Sequence, residues 1–291
     1  MFSVVVPLYN KEEYVLDTIQ SVLNQSYNNF EIIIVNDGST DSSLIKLSSI
    51  KDKRIKLVNI ENSGVSNARN VGIENASFKW VAFIDADDLW NENYLYEASK
   101  IIEENPSLKV LSTNYIRRAG NTNLVAMSFP SGYIESYFKT PCIFSSSIII
   151  HKTVFDKVGV FPVAIKYGED LHLWFRIADR YKIYFNSNPL VVYNALQHYQ
   201  TNSSYEKKDI TKDVLYHIND LEISNSEWQL FKTIYLLKYL RPYYICDNHL
   251  DTVRKLLSTV RVNSRLCLFY KLPRIIVAPL YRVIFSHRYR S

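Results

Sequence analysis

Three aspartates, Asp85, Asp87 and Asp88, follow directly after the apolar run Trp80–Ile84. Like charges this close repel one another and cost stability unless a cation or hydrogen-bond donors compensate them. A divalent cation offers that compensation, because Mg²⁺ and Mn²⁺ bind one or two protein carboxylates together with phosphate oxygens of a substrate. The alternative is that Asp85 and Asp88 cap a helix that starts near Asn91. The pattern by itself leaves both interpretations open.

A second motif, Asn36–Asp41, combines a turn with the start of a helix. An Asp-Gly turn and a helix cap account for Gly38 and Asp41 without any ligand. They leave the carboxylate of Asp37 available to accept hydrogen bonds from a base or a ribose. Spacing alone therefore gives only a weak indication of a nucleotide.

Two later motifs add an arginine and a pair of carboxylates. Arg69 lies near the start of a predicted helix, where it could join a phosphate or base site, because helix N-termini attract anions. A solvated arginine is the alternative. Glu169 and Asp170 follow Gly168 and begin the helix that carries Trp174. Helix capping would explain both carboxylates, but a carboxylate that faces a cleft is also a candidate general base.

Several function classes are disfavoured by what the sequence lacks. The 291 residues include only 7 glycines and neither G-x-G-x-x-G nor G-x-x-x-x-G-K-[ST], so dinucleotide-binding and P-loop folds are poor candidates. None of the 6 histidines forms H-E-x-x-H or a zinc cluster, and no G-x-S-x-G motif is present. The 3 cysteines lack metal-site spacing, and neither a signal peptide nor a run of about 20 apolar residues is found, so a reducing cytosol is expected.

The elements that position these residues follow from the alternation of apolar runs and amphipathic stretches. The first 115 residues have the pattern of βαβ units in a parallel sheet. The predicted strands here are Phe2–Leu8, Glu31–Val35, Ile55–Ile60 and Trp80–Ile84, and the predicted helices are Glu12–Asn24, Asp41–Ile50 and Val65–Ala76. Because ligands of open α/β sheets bind at the carboxyl ends of the strands, the polar strand ends are expected to meet in one cleft.

The pattern loosens after about residue 120. The predicted elements are strands at Ser145–Ile150, Lys182–Phe185 and Leu190–Tyr193, and a helix at Leu171–Arg180 with Leu171, Trp174, Phe175 and Ala178 on one face. Beyond residue 205, helical periodicity dominates.

Six segments in chain order, VVVPLYN, SVLNQSY, FEIIIVNDGSTDSS, NSGVSNARNVGI, WVAFIDADDLW and YGEDLHLWFR, resemble the consecutive signatures of family 2 glycosyltransferases. The resemblance covers roughly residues 1 to 200. It implies the GT-A fold, an α/β architecture with a Rossmann-like, mostly parallel sheet and flanking helices. The expected organisation is a catalytic domain over 1–205, with a nucleotide-sugar half at about 1–115 and an acceptor half at about 116–205, followed by a helical C-terminal region over 206–291.

The same resemblance implies a role for each matching residue. Those expected to bind the nucleotide-sugar are Pro7, Tyr9, Lys11, Asp37, Arg69, Asp85 and Asp87. Asp87 would also ligate Mn²⁺ or Mg²⁺, and Asp170 would be the catalytic base. Asp88, Glu169 and Trp174 would support them. His198 lies in a segment similar to the family's Tyr-Arg-x-His segment, here without the arginine, and is a second candidate ligand for the metal or the diphosphate.

These roles predict an inverting transfer of a sugar from a UDP-sugar to a saccharide acceptor. Related enzymes often use acceptors carried on a lipid diphosphate in surface polysaccharide (O-antigen or capsule) biosynthesis. A nucleotidyltransferase that makes sugar nucleotides is the first alternative, but VPLYNKEEY contains no glycine for a phosphate loop. A catalytically inactive glycan-binding module is the second, and the intact Asp85, Asp87 and Asp170 argue against it. The Q-x-x-R-W motif of processive members is absent, which favours one linkage per encounter.

The C-terminal region carries the excess positive charge. The net charge of the chain is +5, whereas residues 206–291 alone have 15 Lys/Arg against 8 Asp/Glu, and residues 252–291 have nine cations and no acid. In Leu266–Arg290, cations and aromatics alternate with aliphatic residues, which indicates a segment lying in an anionic membrane surface. A helical subdomain with its cations in water is the alternative, and no nucleic-acid-binding motif accompanies the charge. We therefore expect a cytoplasmic protein, peripheral on the inner face of a bacterial plasma membrane.

Overall fold

The structure is a computed structural model of the chain. It describes residues 1–118, 143–194, 209–223, 232, 235–236, 239–240, 243 and 250–258. The chain divides into two units, 1–202 and 203–291. The boundary predicted near residue 205 lies outside the described residues.

Eight strands of the first unit form one sheet. They are β1 (Phe2–Leu8), β2 (Phe30–Asp37), β3 (Ile55–Ile60), β4 (Trp80–Phe83), β5 (Leu89–Trp90), β6 (Val110–Arg118), β7 (Ile148–His151) and β8 (Ile183–Asn194). Their order is β3-β2-β1-β4-β7-β6-β8-β5. The pairs β1–β2, β1–β4, β2–β3 and β6–β8 are parallel, while β7 is antiparallel to both neighbours and β5 is antiparallel to β8. The mostly parallel α/β architecture is confirmed.

The helices of this unit flank the sheet. They are α1 (Val15–Leu23), α2 (Ser43–Leu47), α3 (Val65–Asn75), α4 (Tyr94–Glu104), α5 (Phe155–Val158) and α6 (Glu169–Arg180). Helix α1 starts three residues later than predicted, because the carbonyl of Lys11 accepts from the N–H groups of both Tyr14 and Val15 and closes a turn there. Helix α2 is half the predicted length and ends at Leu47.

Two predictions for the acceptor half are wrong in detail. The segments Lys182–Phe185 and Leu190–Tyr193 form one strand, β8, because the pairing with β6 continues past Pro189 through register shifts on either side of Asn114. The amide of Asn114 donates to the carbonyl of Ser187 at 3.1 Å and bridges this irregularity. The predicted strand Ser145–Ile150 starts later than expected. Its first three residues, Ser145–Ser147, form a 3₁₀ turn, and β7 begins only at Ile148.

Helix α6 begins two residues earlier than predicted and is rotated from the predicted face. Its buried side chains are Leu173, Trp174, Phe175 and Ile177, whereas Leu171 and Ala178 are only half-buried. Gly168 precedes it in the left-handed region at φ 75°, which favours glycine. Glu169 and Asp170 consequently lie in the first turn of the helix.

The apolar core lies on both faces of the sheet. Successive residues of β1 alternate between the two sides, so Val4 and Val6 pack with α1 while Val5 packs under α3. Residues Ile32 and Ile33 of β2 divide in the same way. Burial on both faces explains why β1 and β2 are continuous apolar runs, as parallel strands between helices require. It also fixes the carboxyl ends of β1, β2 and β4 side by side.

The close approach of α3 to β1 depends on Gly72. A Cβ atom at this position would lie 2.2 Å from Cγ1 of Val5, well inside contact distance. We expect Gly72→Ala to lower the free energy of unfolding by about 1–3 kcal/mol through overpacking, although alanine is the better helix former. Urea denaturation would measure the change against Glu74→Ala, an exposed control on the same helix. A G72A protein as stable as the wild type would show that the helix can move away from the strand.

The second unit is described only in part. Its described elements include a 3₁₀ turn at Ile210–Lys212 and the helices α7 (Val214–His217) and α8 (Leu250–Ser258). The hydroxyl of Tyr243 donates to the buried carboxylate of Asp213 at 2.7 Å. Within the residues that the structure describes, every helix is too short or too polar to cross a membrane. The predicted membrane segment, Leu266–Arg290, lies outside them.

Candidate active site

The polar strand ends open into one cleft of about 520 Å³ in the first unit. The predicted site residues that line it are Pro7, Tyr9, Lys11, Asp37, Arg69, Asp85, Asp87, Glu169 and Asp170. Asp88 and Trp174 are buried behind the lining, and His198 lies outside the described residues. The expectation that the carboxyl ends of the strands would converge on a single site is confirmed.

The turn after β1 is locked onto the turn after β2. Asn10 has a positive φ of 51°, which a short amide side chain tolerates, and its Oδ1 accepts from the N–H of Thr40 at 2.8 Å. The N–H of Asn10 donates in return to the hydroxyl of Ser39 at 3.2 Å. Tyr9 is left 47% exposed at the cleft, where its ring is accessible to a ligand.

Asp37 holds the loop that begins α3. Its two carboxylate oxygens accept from the N–H groups of Ser63 at 2.7 Å and Gly64 at 2.9 Å, and the residue is 3% exposed. Gly64 itself has φ 91°, so glycine is favoured at this cap. Asp37 therefore shapes the floor of the cleft, and its predicted contact with a base or ribose stays a prediction.

Arg69 is the centre of a buried ionic bridge and not a solvated side chain. It is 3% exposed, and its guanidinium donates to Oδ1 of Asp85 at 2.7 Å and to Oε1 of Glu169 at 3.0 Å. It also stacks over the ring of Phe161 at 5.2 Å. Burial alone would lower the pKa of Arg69, but Asp85 and Glu169 together raise it. One cation thus links the end of β4 to the start of α6.

Lys11 reaches the middle carboxylate of the aspartate cluster. Its Nζ lies 2.6 Å from Oδ2 of Asp87, a residue that is 6% exposed. The resemblance places Lys11 near the base of a nucleotide and says nothing of this ion pair. The structure brings the lysine to the residue that is predicted to ligate the metal.

Asp88 ties the aspartate cluster to two elements later in the chain, the 3₁₀ turn Ser145–Ser147 and the end of β8. It is 1% exposed and accepts from the hydroxyl of Ser146 at 2.5 Å and the N–H of Asn194 at 2.9 Å. Burial, and then the charges of Asp85 and Asp87, raise the pKa of Asp88 well above its ordinary value. The alternative that Asp85 and Asp88 cap a helix is wrong, because α4 begins at Tyr94, too far along the chain.

Sequence reasoning missed three residues at this cleft. Ser146 supports the aspartate cluster, because its hydroxyl accepts from the N–H of Asp85 at 2.9 Å and donates to the carboxylate of Asp88. Phe144 and Tyr193 form an aromatic wall with ring centroids 5.0 Å apart. Burial and the nearby aspartates raise the pKa of Tyr193. The serine run SSS and a tyrosine at a strand end carry no signal of such roles.

Asp170 lies in the first turn of α6, at the cleft. Its Oδ1 accepts from the N–H of Leu171 at 2.7 Å. Burial, followed by the charge of Glu169, raises its pKa to about 7, against the opposing effect of Arg69. One turn later the fully buried Trp174 packs edge-on against Phe161 at 5.7 Å and anchors the helix. A carboxylate that titrates near neutrality can accept a proton at physiological pH.

The protein supplies only part of the ligand set that Mg²⁺ or Mn²⁺ requires. Among the described residues no group of three or more His, Cys, Asp or Glu side chains is arranged to hold a metal. The carboxylates of Asp85 and Asp87 are hard oxygen donors at the cleft, and Asp85 already binds Arg69. Magnesium characteristically takes one or two carboxylates and completes its shell with phosphate oxygens and water. The site fits an ion that arrives with a phosphorylated substrate.

The fold matches solved structures. TarS of S. aureus in complex with UDP-GlcNAc superposes with a TM-score of 0.70 at 20% sequence identity, over 89% of this chain and 80% of that one. The same protein in complex with UDP gives a TM-score of 0.63 at 22% identity, over 82% of this chain and 71% of that chain. Identities this low show the GT-A fold and nothing more.

Two sequence relatives cover about three fifths and about nine tenths of this chain. An uncharacterized glycosyltransferase of Rickettsia bellii is 37% identical over 184 residues, which are 61% of this chain and 26% of the relative. This chain spans about a quarter to a third of the length of the relatives from Rickettsia bellii, Rickettsia felis and Rickettsia conorii. An uncharacterized glycosyltransferase of Haemophilus influenzae is 28% identical over 89% of this chain and 84% of its own length.

A third relative carries a specific name. The UDP-Glc:alpha-D-GlcNAc-diphosphoundecaprenol beta-1,3-glucosyltransferase WfgD of Escherichia coli is 31% identical over 61% of this chain and 69% of its own length. The model of the family described as glycosyl transferase family 2 matches residues 3–159, more than half of the chain, from β1 to β7. With the fold and the six ordered motifs, this match shows that the chain belongs to glycosyl transferase family 2.

Proposed function

We propose that the protein is a metal-dependent, inverting glycosyltransferase that moves a sugar from a UDP-sugar to a saccharide acceptor. The observation that carries this proposal is that Asp170, whose pKa is raised to about 7, faces the same cleft as Asp85 and Asp87. A proton acceptor and carboxylates that could bind a divalent cation, and through it a diphosphate, thus share one cavity. The family membership supports the same reaction class.

The chain's own residues divide the reaction between them. Asp87 would hold Mn²⁺ or Mg²⁺, and the ion would supply Lewis-acid stabilisation of the diphosphate leaving group. Asp170 accepts the proton of the acceptor hydroxyl while the oxygen of that hydroxyl forms a bond to the anomeric carbon. The bond from that carbon to the diphosphate oxygen breaks, and UDP departs. One displacement inverts the configuration, and no second carboxylate is needed as a nucleophile.

The acceptor is proposed to be a lipid-linked saccharide of a cell-surface polysaccharide. WfgD is named for transfer to a sugar on diphosphoundecaprenol, and GgaA of Bacillus subtilis, 33% identical over 58% of this chain, is a minor teichoic acid biosynthesis protein. The aromatic wall of Phe144 and Tyr193 supports a saccharide in the cleft, because the C–H faces of sugar rings pack on aromatic rings.

The test of the proposed function is turnover with a panel of UDP-sugars. Release of UDP in the presence of Mn²⁺ is expected with one or few of them, and UDP should raise the melting temperature through binding to the folded state. The Asp170→Asn variant is expected to bind UDP without turnover. A wild-type protein that neither binds UDP nor hydrolyses any member of the panel would contradict the proposal.

Peripheral attachment to an anionic membrane surface is proposed for the C-terminal region. The nine cations of residues 252–291 would contribute roughly 1 kcal/mol each near an anionic leaflet. We expect the protein to float with anionic vesicles at low salt and to lose this property when residues 252–291 are deleted. A full-length protein that stays in the soluble fraction would refute attachment, and one whose truncated form still floats would place the attachment elsewhere.

A further inference from the structure

The ion pair between Lys11 and Asp87 is built into the fold. The N–H of Lys11 donates to the hydroxyl of Ser43 at 3.0 Å, and its carbonyl accepts from the N–H groups of Tyr14 and Val15. The backbone of Lys11 is thereby fixed between the end of β1 and the start of α1. From this fixed position the ammonium reaches Oδ2 of Asp87 at 2.6 Å, and both side chains line the cleft.

Each carboxylate of the aspartate cluster has a partner within the chain. Asp85 binds Arg69 at 2.7 Å, Asp87 binds Lys11, and the buried Asp88 accepts from Ser146 and Asn194. Arg69 and Lys11 therefore supply part of the positive charge that such a cluster requires. A divalent ion that binds Asp87 has to compete with the ammonium group for the same carboxylate.

We propose that Lys11 is a placeholder cation, which occupies Asp87 in the free protein and transfers to the diphosphate when metal and nucleotide bind together. This inference rests on the proposed function, which supplies the diphosphate. In the free protein the ammonium weakens metal binding, because two cations repel at short range. A diphosphate gives the ammonium a new anionic partner and gives the metal further oxygen ligands. Lys11 thus strengthens the coupling between metal and nucleotide binding.

The coupling is measured by titrating the full chain with Mn²⁺, with and without UDP, and following free Mn²⁺ by electron paramagnetic resonance. In the wild type, UDP is expected to raise the Mn²⁺ affinity by more than 10-fold, and by reciprocity Mn²⁺ raises the UDP affinity by the same factor. In Lys11→Met, the Mn²⁺ affinity without UDP is expected to rise about 10-fold. UDP then increases the Mn²⁺ affinity by a smaller factor than in the wild type.

Three further variants keep the test decisive. Lys11→Gln is expected to behave as K11M does, and Lys11→Arg, which retains a cation, to keep most of the coupling. Lys53→Met removes an exposed lysine outside the cleft lining and is expected to leave both affinities unchanged. Circular dichroism verifies that each variant is folded.

The failures of the two proposals are distinguishable. If K11M and K11Q are folded and bind Mn²⁺ without UDP as weakly as the wild type does, the placeholder role is wrong while the proposed function stands. If wild-type UDP binding is independent of Mn²⁺, the metal-dependent function is wrong, and the placeholder role is overturned with it.

Discussion

Replacing Asp170 with asparagine is expected to lower kcat by about 10²- to 10⁴-fold and to leave UDP binding nearly unchanged. The substitution keeps the shape of the side chain but removes the only group in the proposed reaction that takes the proton of the acceptor. Nucleotide binding is proposed to depend on Asp37, Asp85 and Asp87, which line the same cleft. Steady-state kinetics and calorimetric titration with UDP measure the two effects separately.

The pH dependence of the wild type provides the second part of this test. A base has to be deprotonated to act, and burial together with Glu169 raises the pKa of Asp170 to about 7. The ratio kcat/KM, which reports the ionisation of the free enzyme, is therefore expected to fall tenfold per pH unit below about 7 and to level off above it. An Asp170 carboxyl with an ordinary pKa would place the fall near pH 4 instead.

A matched control uses a carboxylate that lies outside the cleft lining. Asp156→Asn on α5 removes an equal charge from an exposed position and is expected to retain wild-type kinetics. If D170N turns over within about threefold of the wild type while D156N is unaffected, the base is another group. Loss of UDP binding in D170N would instead mean that the residue serves the donor side of the cleft.

Local pattern predicted most of the fold, because the strands β1, β2 and β4 are buried on both faces and have apolar sequences. The errors arise where tertiary contacts override the pattern. The predicted strands Lys182–Phe185 and Leu190–Tyr193 leave out the polar stretch Asn186–Pro189. Strand β8 nevertheless continues through this stretch, because it pairs with β6 and the register shifts at Asn114. Similarly, Ser145–Ser147 forms a 3₁₀ turn because the hydroxyl of Ser146 accepts from the N–H of Asp85 and donates to the carboxylate of Asp88.

The sequence predicts many of the residues that line the cleft, but not the contacts between them. Motif spacing identifies Arg69, Asp87 and Asp170 as chemically capable groups, yet it contains no information on which charge meets which. The partners of Arg69 are 16 and 100 residues away along the chain, and Lys11 is 76 residues from Asp87. Such pairings depend on the packing of the helices on the sheet, which only the folded chain defines.

Replacing Arg69 with methionine is expected to have the second large effect, on stability as well as on activity. Removal of the guanidinium leaves two negative groups, Asp85 and Glu169, facing each other without their shared cation. Breaking a buried ion pair from one side costs about 3–5 kcal/mol, and the partial exposure of Asp85 places the expected loss toward the lower figure. Because α6 is no longer tied to β4, kcat/KM is expected to fall by at least about 100-fold.

The separate contributions of charge and packing can be resolved by comparing variants of the bridge. Arg69→Lys keeps the charge but cannot bind both carboxylates with one planar group, so it is expected to recover only part of the stability. Arg54→Met is the matched control, since Arg54 also pairs with an aspartate, at 2.8 Å, and stacks on an aromatic ring, but lies nearer the solvent. Its loss is expected to cost about 1 kcal/mol or less.

A double variant tests whether the bridge acts through its charges. Adding Glu169→Gln to R69M removes one of the two facing carboxylates, so the double variant is expected to be more stable than R69M alone by about 1 kcal/mol or more. Chemical denaturation of the wild type, both single variants and the double variant completes the cycle. Strict additivity of the two substitutions would mean that the pair between Arg69 and Glu169 contributes nothing, so that Arg69 stabilises the cleft through Asp85 and through its packing on Phe161.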